Sequence, residues 1–246
     1  MERRNLRLLI AYDGTNYQGW QRQKEAPTIQ GTIEGVLTKI TREAITLTGA
    51  GRTDSGVHAW GQVANFSTSS PLTIPKFQQA LNALLPEDVM IRKVSQAAEG
   101  FHARFSSRAK VYDYLIWNTP GLLFFRPYVC FIREGLDLER MAAGLSRLIG
   151  ERDFSSFQSQ GSQVSHPVRE LYQAGLWRHR FGWIRLRFKA NGFLRHMVRN
   201  MAGTLIRLGL GRISIQEFEE IVKAGDRSRA GEMAPARGLY LRKVFY

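Results

Sequence analysis

The sequence predicts an α+β protein made of two ferredoxin-like halves that share a mainly antiparallel sheet flanked by helices. Strand-like and amphipathic helical segments alternate along the whole chain. The first hundred residues give the order strand, helix, strand, strand, helix, strand, which is the split βαβ pattern of ferredoxin-like units. The 246 residues suffice for two such units. We place the halves at residues 1–100 and 101–246 and expect an active-site cleft between them.

Each element of the first half has a local signal. Apolar runs indicate strands, apolar residues at helical spacing indicate helices, and Thr28 is placed to cap the first helix after Pro27. Pro86 ends the second helix. The predicted elements are a strand at 6–12, a helix containing Ile29, Ile33, Val36, Leu37 and Ile40, strands at 44–47 and 62–66, a helix over 77–85, and a strand at 89–94.

The second half repeats the alternation. Asp137 is placed to cap a helix that Gly150 ends, and Ser214 with Glu217 forms a capping box for the last helix. The Ser- and Gln-rich residues 155–165 predict a loop. The other predicted elements are a strand within 101–118, strands at 168–177 and 183–190, a helix carrying Leu194, Met197, Val198, Met201 and Leu205, and a closing strand at 239–245.

Composition indicates a basic protein that keeps its single cysteine reduced. The formal charge of +14 favours a polyanionic partner, although a generally basic surface or attraction to acidic membranes would give the same balance. Cys130 has no second cysteine to pair with. The amino terminus has no apolar h-region, and no apolar run approaches the roughly 18 residues of a membrane span. We therefore expect a cytoplasmic protein.

The stretch at 51–59, Gly-Arg-Thr-Asp-Ser-Gly-Val-His-Ala, concentrates the chemistry of the first half. Glycines on both sides of Asp54 predict a shaped loop between two strands, a position typical of functional residues. The alternative is an aspartate that only shapes its turn. His58 is expected to pack or to form hydrogen bonds, because no neighbouring Asp, His or Cys cluster completes a metal site.

Basic and aromatic residues of the second half allow two interpretations. Tyr112 and Tyr114 share a strand face, either as core residues or, close to Lys110, as stacking partners for a base. Arg195 and Arg199 are four residues apart on a predicted helix, where they either are solvated or bind an anion. The alternating Arg185, Arg187 and Lys189 form either a solvated sheet face or one that binds a polyanion.

Six strings of residues, spread over nearly the whole chain, form a distinctive set. They are residues 51–59, Phe-His-Ala-Arg-Phe at 101–105, Lys-Val-Tyr-Asp-Tyr at 110–114, Asp-Phe-Ser-Ser-Phe at 153–157, Ala-Asn-Gly-Phe-Leu-Arg-His-Met-Val-Arg-Asn at 190–200 and Gly-Leu-Tyr-Leu at 238–241. Together these strings resemble bacterial tRNA pseudouridine synthases of the TruA type. Ser55 stands where alanine is commoner in that family, and residues 124–132 are less typical of it.

The resemblance implies the pseudouridine synthase fold and the isomerisation of uridines 38–40 in the anticodon stem-loop of tRNA. It implies a homodimer that needs no cofactor or metal. Asp54 would be the essential aspartate, Tyr112 the aromatic residue that contacts the target base, and Arg199 the basic partner of the aspartate. Arg52 would hold the flipped-out nucleotide or fill its place. Arg195 and Lys110 are further candidates for binding the substrate.

The chemistry agrees with this implication. Moving C1′ of the ribose from N1 to C5 of the same uracil requires an anionic nucleophile or charge stabiliser and no redox centre. Whether Asp54 attacks C6 of the base or C1′ of the ribose stays open at this point, and Tyr112 is a candidate for removing the C5 proton.

Two other functions are compatible with charge and residue type, namely a tRNA-binding module without activity and a metal-dependent nuclease using Asp54 and His58.

Overall fold

The computed structural model describes residues 3–121, 124–161 and 166–246. It contains two compact units. The first consists of Met1–Arg108 together with Leu241–Tyr246, and the second of Ala109–Tyr240. The chain is a mixture of helices and strands, so the α+β class is confirmed. No helix within the described ranges is long and apolar enough to cross a membrane.

The first unit has the strand order expected of a ferredoxin-like fold. In the sheet β1 lies between β4 and β3, β2 pairs with the other side of β3, and all of these pairs are antiparallel. Since β3 separates β1 from β2, the βαβ unit is split as predicted. The elements are β1 (Arg4–Tyr12), α1 (Ile29–Thr41), β2 (Thr48–Gly49), β3 (His58–Thr68), α2 (Ile74–Leu84) and β4 (Val89–Gln96).

Local signals explain most of these boundaries. The Thr28 hydroxyl accepts the Gly31 N–H at 3.3 Å and caps α1, which ends where Arg42 adopts φ 60°. In α2, Phe77 and Leu81 are fully buried, whereas Leu84 is exposed. The helices, β1, β3 and β4 are therefore confirmed, with ends that differ by a few residues.

The strand predicted at 44–47 is wrong. Leu47 is buried, but its N–H donates to Glu34 Oε1 at 2.8 Å and its carbonyl accepts from Gln30 Nε2 at 2.9 Å. Side chains of α1 thus take the hydrogen bonds that a neighbouring strand would otherwise supply. Sheet pairing begins only at β2, which has two residues.

The second unit is built on four antiparallel strands. They lie in the order β5, β9, β8, β7, and β6 pairs in parallel with the end of β5. Strand β10 (Leu239–Phe245) begins in this unit and ends in the first. The remaining elements are β5 (Ala109–Trp117), β6 (Cys130–Phe131), α3 (Leu138–Ser146), β7 (Gly150–Asp153), β8 (Val168–Arg178), β9 (Trp183–Ala190), α4 (Met197–Gly209) and α5 (Ile215–Ala224).

Three features of this unit differ from, or add to, the predictions. Helix α4 begins at Met197 and not at Leu194, because His196 has φ 61° and interrupts the helical backbone. The short strands β6 and β7 were not predicted. The polar segment expected as a loop at 155–165 starts with a 3₁₀ turn, Ser155–Phe157, in which Phe157 is fully buried. Its residues 162–165 lie outside the described ranges.

The N-terminal caps predicted for α3 and α5 are confirmed, but the predicted end of α3 at Gly150 is wrong, because the helix ends at Ser146 and Gly150 begins β7. Asp137 accepts the Arg140 N–H at 3.0 Å. The capping box of α5 is complete, since Ser214 and Glu217 each accept a hydrogen bond from the backbone of the other.

Candidate active site

Asp54 lies on the loop that joins β2 to β3. Its side chain is half-buried, and its carbonyl accepts the Val57 N–H at 3.2 Å across a turn in which Gly56 has φ 73°. At the start of the loop, Gln62 Nε2 donates to the carbonyl of Gly51 at 2.8 Å. The backbone on both sides of Asp54 is therefore fixed, which gives the carboxylate a defined position.

The segment after β1 packs directly against this loop. Trp20 N–H donates to the Thr53 carbonyl at 3.0 Å, and Gly56 N–H donates to the Tyr17 carbonyl at 3.4 Å. The same carbonyl accepts the Ser55 hydroxyl at 3.2 Å. An alanine at position 55 would lack this hydrogen bond.

Two glycines make this approach possible. An added Cβ at Gly19, which has φ 86°, would lie 2.5 Å from the Thr53 carbonyl oxygen. An added Cβ at Gly14 would lie 2.1 Å from the Val57 carbonyl oxygen. Both distances are shorter than van der Waals contact, and the positive φ at Gly19 is itself unfavourable for a side chain. The two segments can pack this closely only with glycine at these positions.

Thr53 also connects the loop to β1. Its hydroxyl oxygen lies 2.8 Å from that of Tyr12, and both residues are buried. Burial raises the pKa of Tyr12 well above its ordinary value, so the phenol stays neutral over the physiological range. A neutral, hydrogen-bonded pair therefore stands next to Asp54.

His58 is bonded within the first unit. It is buried, its Nδ1 lies 3.1 Å from Asp13 Oδ1, and the same nitrogen lies 3.2 Å from the backbone nitrogen of Gly14. In residues 3–121, 124–161 and 166–246, no group of three or more His, Cys, Asp or Glu could hold a metal ion. The packing and hydrogen-bonding interpretation of His58 is thus the one that the contacts favour.

Arg52 is exposed on the same loop, and its Nε donates to Gln21 Oε1 at 3.1 Å. The first unit therefore brings Arg52 and Asp54 together on one short segment. The exposed guanidinium is available for a phosphate or a base, because the Gln21 side chain that it contacts is itself exposed and uncharged.

Tyr112 and Lys110 belong to β5 of the second unit. Tyr112 is buried, pairs in register with Phe188, and meets the ring of Phe193 edge to face at 5.1 Å. Lys110 is half-buried two residues earlier on the same strand. Tyr114, by contrast, is fully buried and donates its hydroxyl to the Pro235 carbonyl at 2.9 Å, so it is a core residue.

Arg199 is the third residue of α4 and is half-buried. Its Nε donates to the Ala234 carbonyl at 2.8 Å, and its own carbonyl accepts the Ala234 N–H at 3.2 Å. Burial raises the pKa of Tyr114 well above its ordinary value, and the positive charge of Arg199 lowers that pKa by a smaller amount. These contacts orient the guanidinium, as an arginine that recognises an anion requires.

Arg195 does not lie on α4, so the predicted arrangement of two arginines on one helix face is wrong. Arg195 precedes the helix, is exposed, and donates from Nη1 to the Gln160 carbonyl at 2.9 Å. Its carbonyl accepts the Ser159 N–H at 3.2 Å. The left-handed backbone of His196 turns Arg195 towards the Ser- and Gln-rich segment.

The basic face of β9 is not simply solvated. Arg187 makes a bidentate ion pair with Asp113, at 2.6 and 2.7 Å, which raises the pKa of the guanidinium. The Arg185 guanidinium lies 4.8 Å from the ring centroid of Trp177, and the Lys189 ammonium lies 5.9 Å from that of Tyr172. Cation–π contacts and an ion pair thus occupy this face.

Sequence reasoning missed Tyr12, Gly14 and Gly19 as supports of the Asp54 loop. The two glycines carried a signal, since they lie in the segment after β1, where no helix or strand was predicted. Tyr12 carried none, because it resembled any aromatic residue at the end of a buried strand.

Comparisons with known proteins find similar chains over the full length. A family model described as tRNA pseudouridine synthase matches residues 8–106 and 145–246. The chain is 44% identical over 244 residues to tRNA pseudouridine synthase A of Ruminiclostridium cellulolyticum, covering 99% of this chain and all of the relative. It is also 44% identical over 246 residues to the protein of that name from Acetivibrio thermocellus, with the same coverage.

Among solved structures, the archaeal box H/ACA sRNP Nop10-Cbf5 complex contains a similar chain, with 10% identity and a TM-score of 0.36 over 94% of this chain and 58% of that one. A similarity at this level carries no argument about function. The full-length matches and the family model do, and by them the chain belongs to the tRNA pseudouridine synthase family.

Proposed function

We propose that this protein isomerises uridine to pseudouridine in the anticodon stem-loop of tRNA, at positions 38–40, with Asp54 as the essential catalytic residue. The observation that carries the proposal is the fixed position of the Asp54 loop. Thr53, the residue before Asp54, is hydrogen-bonded to Tyr12 and to Trp20. Such preorganisation suits a group that must meet a reacting atom in one geometry.

The reaction breaks the bond from N1 to C1′ and forms one from C5 to C1′; the C5 proton leaves to water, and N1 takes up a proton from water, so the product is an isomer of uridine. In our proposal the Asp54 carboxylate supplies the anion that this rearrangement needs. Tyr112 contacts the target base, and Arg199 is the basic partner of the aspartate. Arg52 holds the flipped-out nucleotide or fills its place, while Arg195 and Lys110 bind the RNA. The chain's own residues perform every step without a cofactor.

Charge supports a tRNA partner. With 35 Lys and Arg against 21 Asp and Glu, the protein attracts the phosphates of RNA over distances set by ionic strength. Flipping a uridine out of its stack costs a few kcal/mol, which phosphate and base contacts must offset.

We further propose that the protein acts in the cytoplasm as a homodimer, and light scattering on the purified protein tests the dimer.

The test uses an unmodified tRNA transcript carrying tritium at C5 of uracil, with no metal or cofactor added. We expect tritium release to water from the wild type and none from Asp54→Ala. The affinity of that variant for tRNA should differ from the wild-type affinity by less than about fivefold. Asp137→Asn is the matched control, because asparagine also caps a helix and release should stay at the wild-type rate.

The other two functions give different outcomes in the same assay. An inactive tRNA-binding module would bind with strong salt dependence and release no tritium. A metal-dependent nuclease would cut the RNA and lose that activity with a chelator. Release that persists in Asp54→Ala would remove Asp54 from the mechanism.

A further inference from the structure

The turn that follows β4 displays an aromatic side chain to solvent. Phe105 is 75% exposed. The imidazole of His102 stacks against its ring at 4.4 Å with a tilt of 31°, and the guanidinium of Arg104 lies 5.4 Å from the ring centroid. This segment carries part of the family resemblance, yet the proposed chemistry gives it no role.

The turn is held in one conformation by hydrogen bonds among its own residues. His102 and Ser106 exchange two hydrogen bonds, from Ser106 N–H to the His102 carbonyl at 2.9 Å and from His102 N–H to the Ser106 hydroxyl at 3.1 Å. The His102 Nδ1 accepts the N–H groups of both Arg104 and Phe105 at 3.2 Å. The exposed ring therefore projects from a rigid base.

The rest of the first unit anchors the start of the turn. Asn65 Oδ1 accepts the Ala103 N–H at 2.8 Å, and the Tyr246 hydroxyl donates to the Ala103 carbonyl at 2.8 Å. Asn5 Nδ2 donates to the Phe101 carbonyl at 2.8 Å, and the Phe101 and Tyr246 rings lie 4.9 Å apart. This support costs conformational entropy without burying Phe105, so folding alone does not explain why the ring is held in place.

The neighbourhood is basic. Arg104 and Arg108 are exposed, and the guanidinium of Arg7 lies 5.7 Å from the ring centroid of Phe101. The Lys243 ammonium lies over the ring of Phe245, whose carbonyl accepts the Arg108 N–H. Glu99, also exposed, is the acidic residue of the adjoining loop. Four cations lie on the turn or on residues that contact its ends, against one carboxylate in the adjoining loop, and this excess favours a ligand with negative charge.

We propose that Phe105, with Arg104 beside it, is a stacking site for an unpaired nucleobase of the RNA substrate, separate from the residues that carry out the isomerisation. This inference rests on the proposed function only in taking the substrate to be RNA. Aromatic rings and guanidinium planes stack on bases, and the flanking cations bind the adjacent phosphates. The base must be unpaired, because bases within a helix already stack on both faces.

Binding of fluorescent RNA at fixed salt tests the site. One RNA is a stem-loop with the anticodon loop, and the other is a fully paired duplex of the same length. We expect Phe105→Ala to weaken binding of the stem-loop by about 5- to 150-fold. Phe105→Trp should restore binding, whereas the aliphatic Phe105→Leu should not. Leu84→Ala, which truncates another exposed apolar side chain of the first unit, should have no effect.

The salt dependence of RNA binding distinguishes the contribution of the Arg104 charge from that of stacking on Phe105. Phe105→Ala leaves the slope of log K against log salt unchanged, and Arg104→Ala reduces it by about one. Equal loss of affinity for the stem-loop and the duplex, or wild-type affinity in Phe105→Ala, would overturn the stacking site. So would a change in molar mass of Phe105→Ala by light scattering, since the ring would then contact a second copy.

Tritium release by the wild type distinguishes failure of this inference from failure of the proposed function. An enzyme that releases tritium but binds the stem-loop independently of Phe105 refutes only the stacking site. A protein that releases no tritium but needs an aromatic residue at position 105 for stem-loop binding refutes only the isomerase.

Discussion

The hydroxyl oxygens of Tyr12 and Thr53 lie 2.8 Å apart, and Thr53 immediately precedes Asp54 in the chain. Tyr12 ends β1, the middle strand of the first unit's β4–β1–β3 arrangement. The hydrogen bond therefore ties the candidate catalytic loop to a strand that is paired on both sides. A loop that is anchored one residue before its reactive side chain has little freedom to move the carboxylate.

We expect Tyr12→Phe to lower the rate of pseudouridine formation by about 5- to 50-fold, because the loop loses an anchor and the Thr53 hydroxyl loses its partner. Stability should fall by about 0.5–1.5 kcal/mol. Single-turnover kinetics and urea unfolding measure the two effects. Tyr17→Phe is the matched control, since its hydroxyl bonds to Asp88 at 2.6 Å instead. A rate equal to that of Tyr17→Phe would show that the Thr53 anchor does not matter.

Gly19→Ala should disturb the same loop from the other side. The new methyl group would lie 2.5 Å from the Thr53 carbonyl oxygen at a residue with φ 86°, so the two segments must move apart. We expect tritium release to fall by at least about tenfold, since small displacements of a reacting group are costly.

Gly35→Ala is the control for that substitution. Gly35 lies within α1 with no heavy atom near its would-be Cβ, so alanine should stabilise the helix by about 0.5–1 kcal/mol and leave activity unchanged. If both variants behave alike in the tritium assay, the close approach at Gly19 is irrelevant to activity.

Glu34→Ala should be among the most destabilising single changes in the first unit. The buried carboxylate accepts from the backbone N–H of Leu47, from Gln30 and from Arg22, at 2.8 to 3.0 Å. Truncation leaves buried donors without partners, which costs about 2–4 kcal/mol in the free energy of unfolding. Glu25→Ala at an exposed site should change it by less than about 0.5 kcal/mol. Similar unfolding midpoints for the two variants would contradict this account.

The capping box of α5 predicts a pH dependence. Hydrogen bonds from the backbone and side chain of Ser214 lower the pKa of Glu217. The ionised Glu217 carboxylate therefore contributes its full stabilisation above the unfolded-state pKa of about 4.3. This stabilisation is lost as the pH falls through the lower pKa of the folded state. Glu217→Gln should melt at a lower temperature than the wild type at pH 7, and the difference should shrink below about pH 4. In a Ser214→Ala background the pH 7 difference should be smaller, and a constant difference at all pH values would refute the assignment.

Much of the fold could be predicted from the sequence because its elements have local causes. Thr28, Asp137 and Ser214 each cap the helix that follows them, and alternation of apolar residues marks β9. The two-residue strands β2 and β6 could not be predicted, since two residues establish no periodicity.

The failures share a different cause. Residues 44–47 have strand-like composition, but Glu34 and Gln30, distant in sequence, take the backbone hydrogen bonds of Leu47. Arg195 was placed on a helix because nothing in the identity of His196 announces a left-handed backbone.

The candidate site was predictable only in part. Asp54 stands out between glycines, whereas the anchor at Tyr12 depends on a contact across 41 positions of sequence. No local pattern reports a contact of that kind.

The assignment of Leu241–Tyr246 to the first unit has a consequence for biosynthesis. Because residues 109–240 must be translated before this segment exists, the unit that carries Asp54 cannot be completed while the ribosome is still making the second unit. At about 5–20 residues per second, that delay lasts several seconds or more. During it, Ala103 and Arg108 lack the partners that Tyr246 and Phe245 later supply. The nascent chain thus cannot carry a finished first unit until the whole second unit has been made.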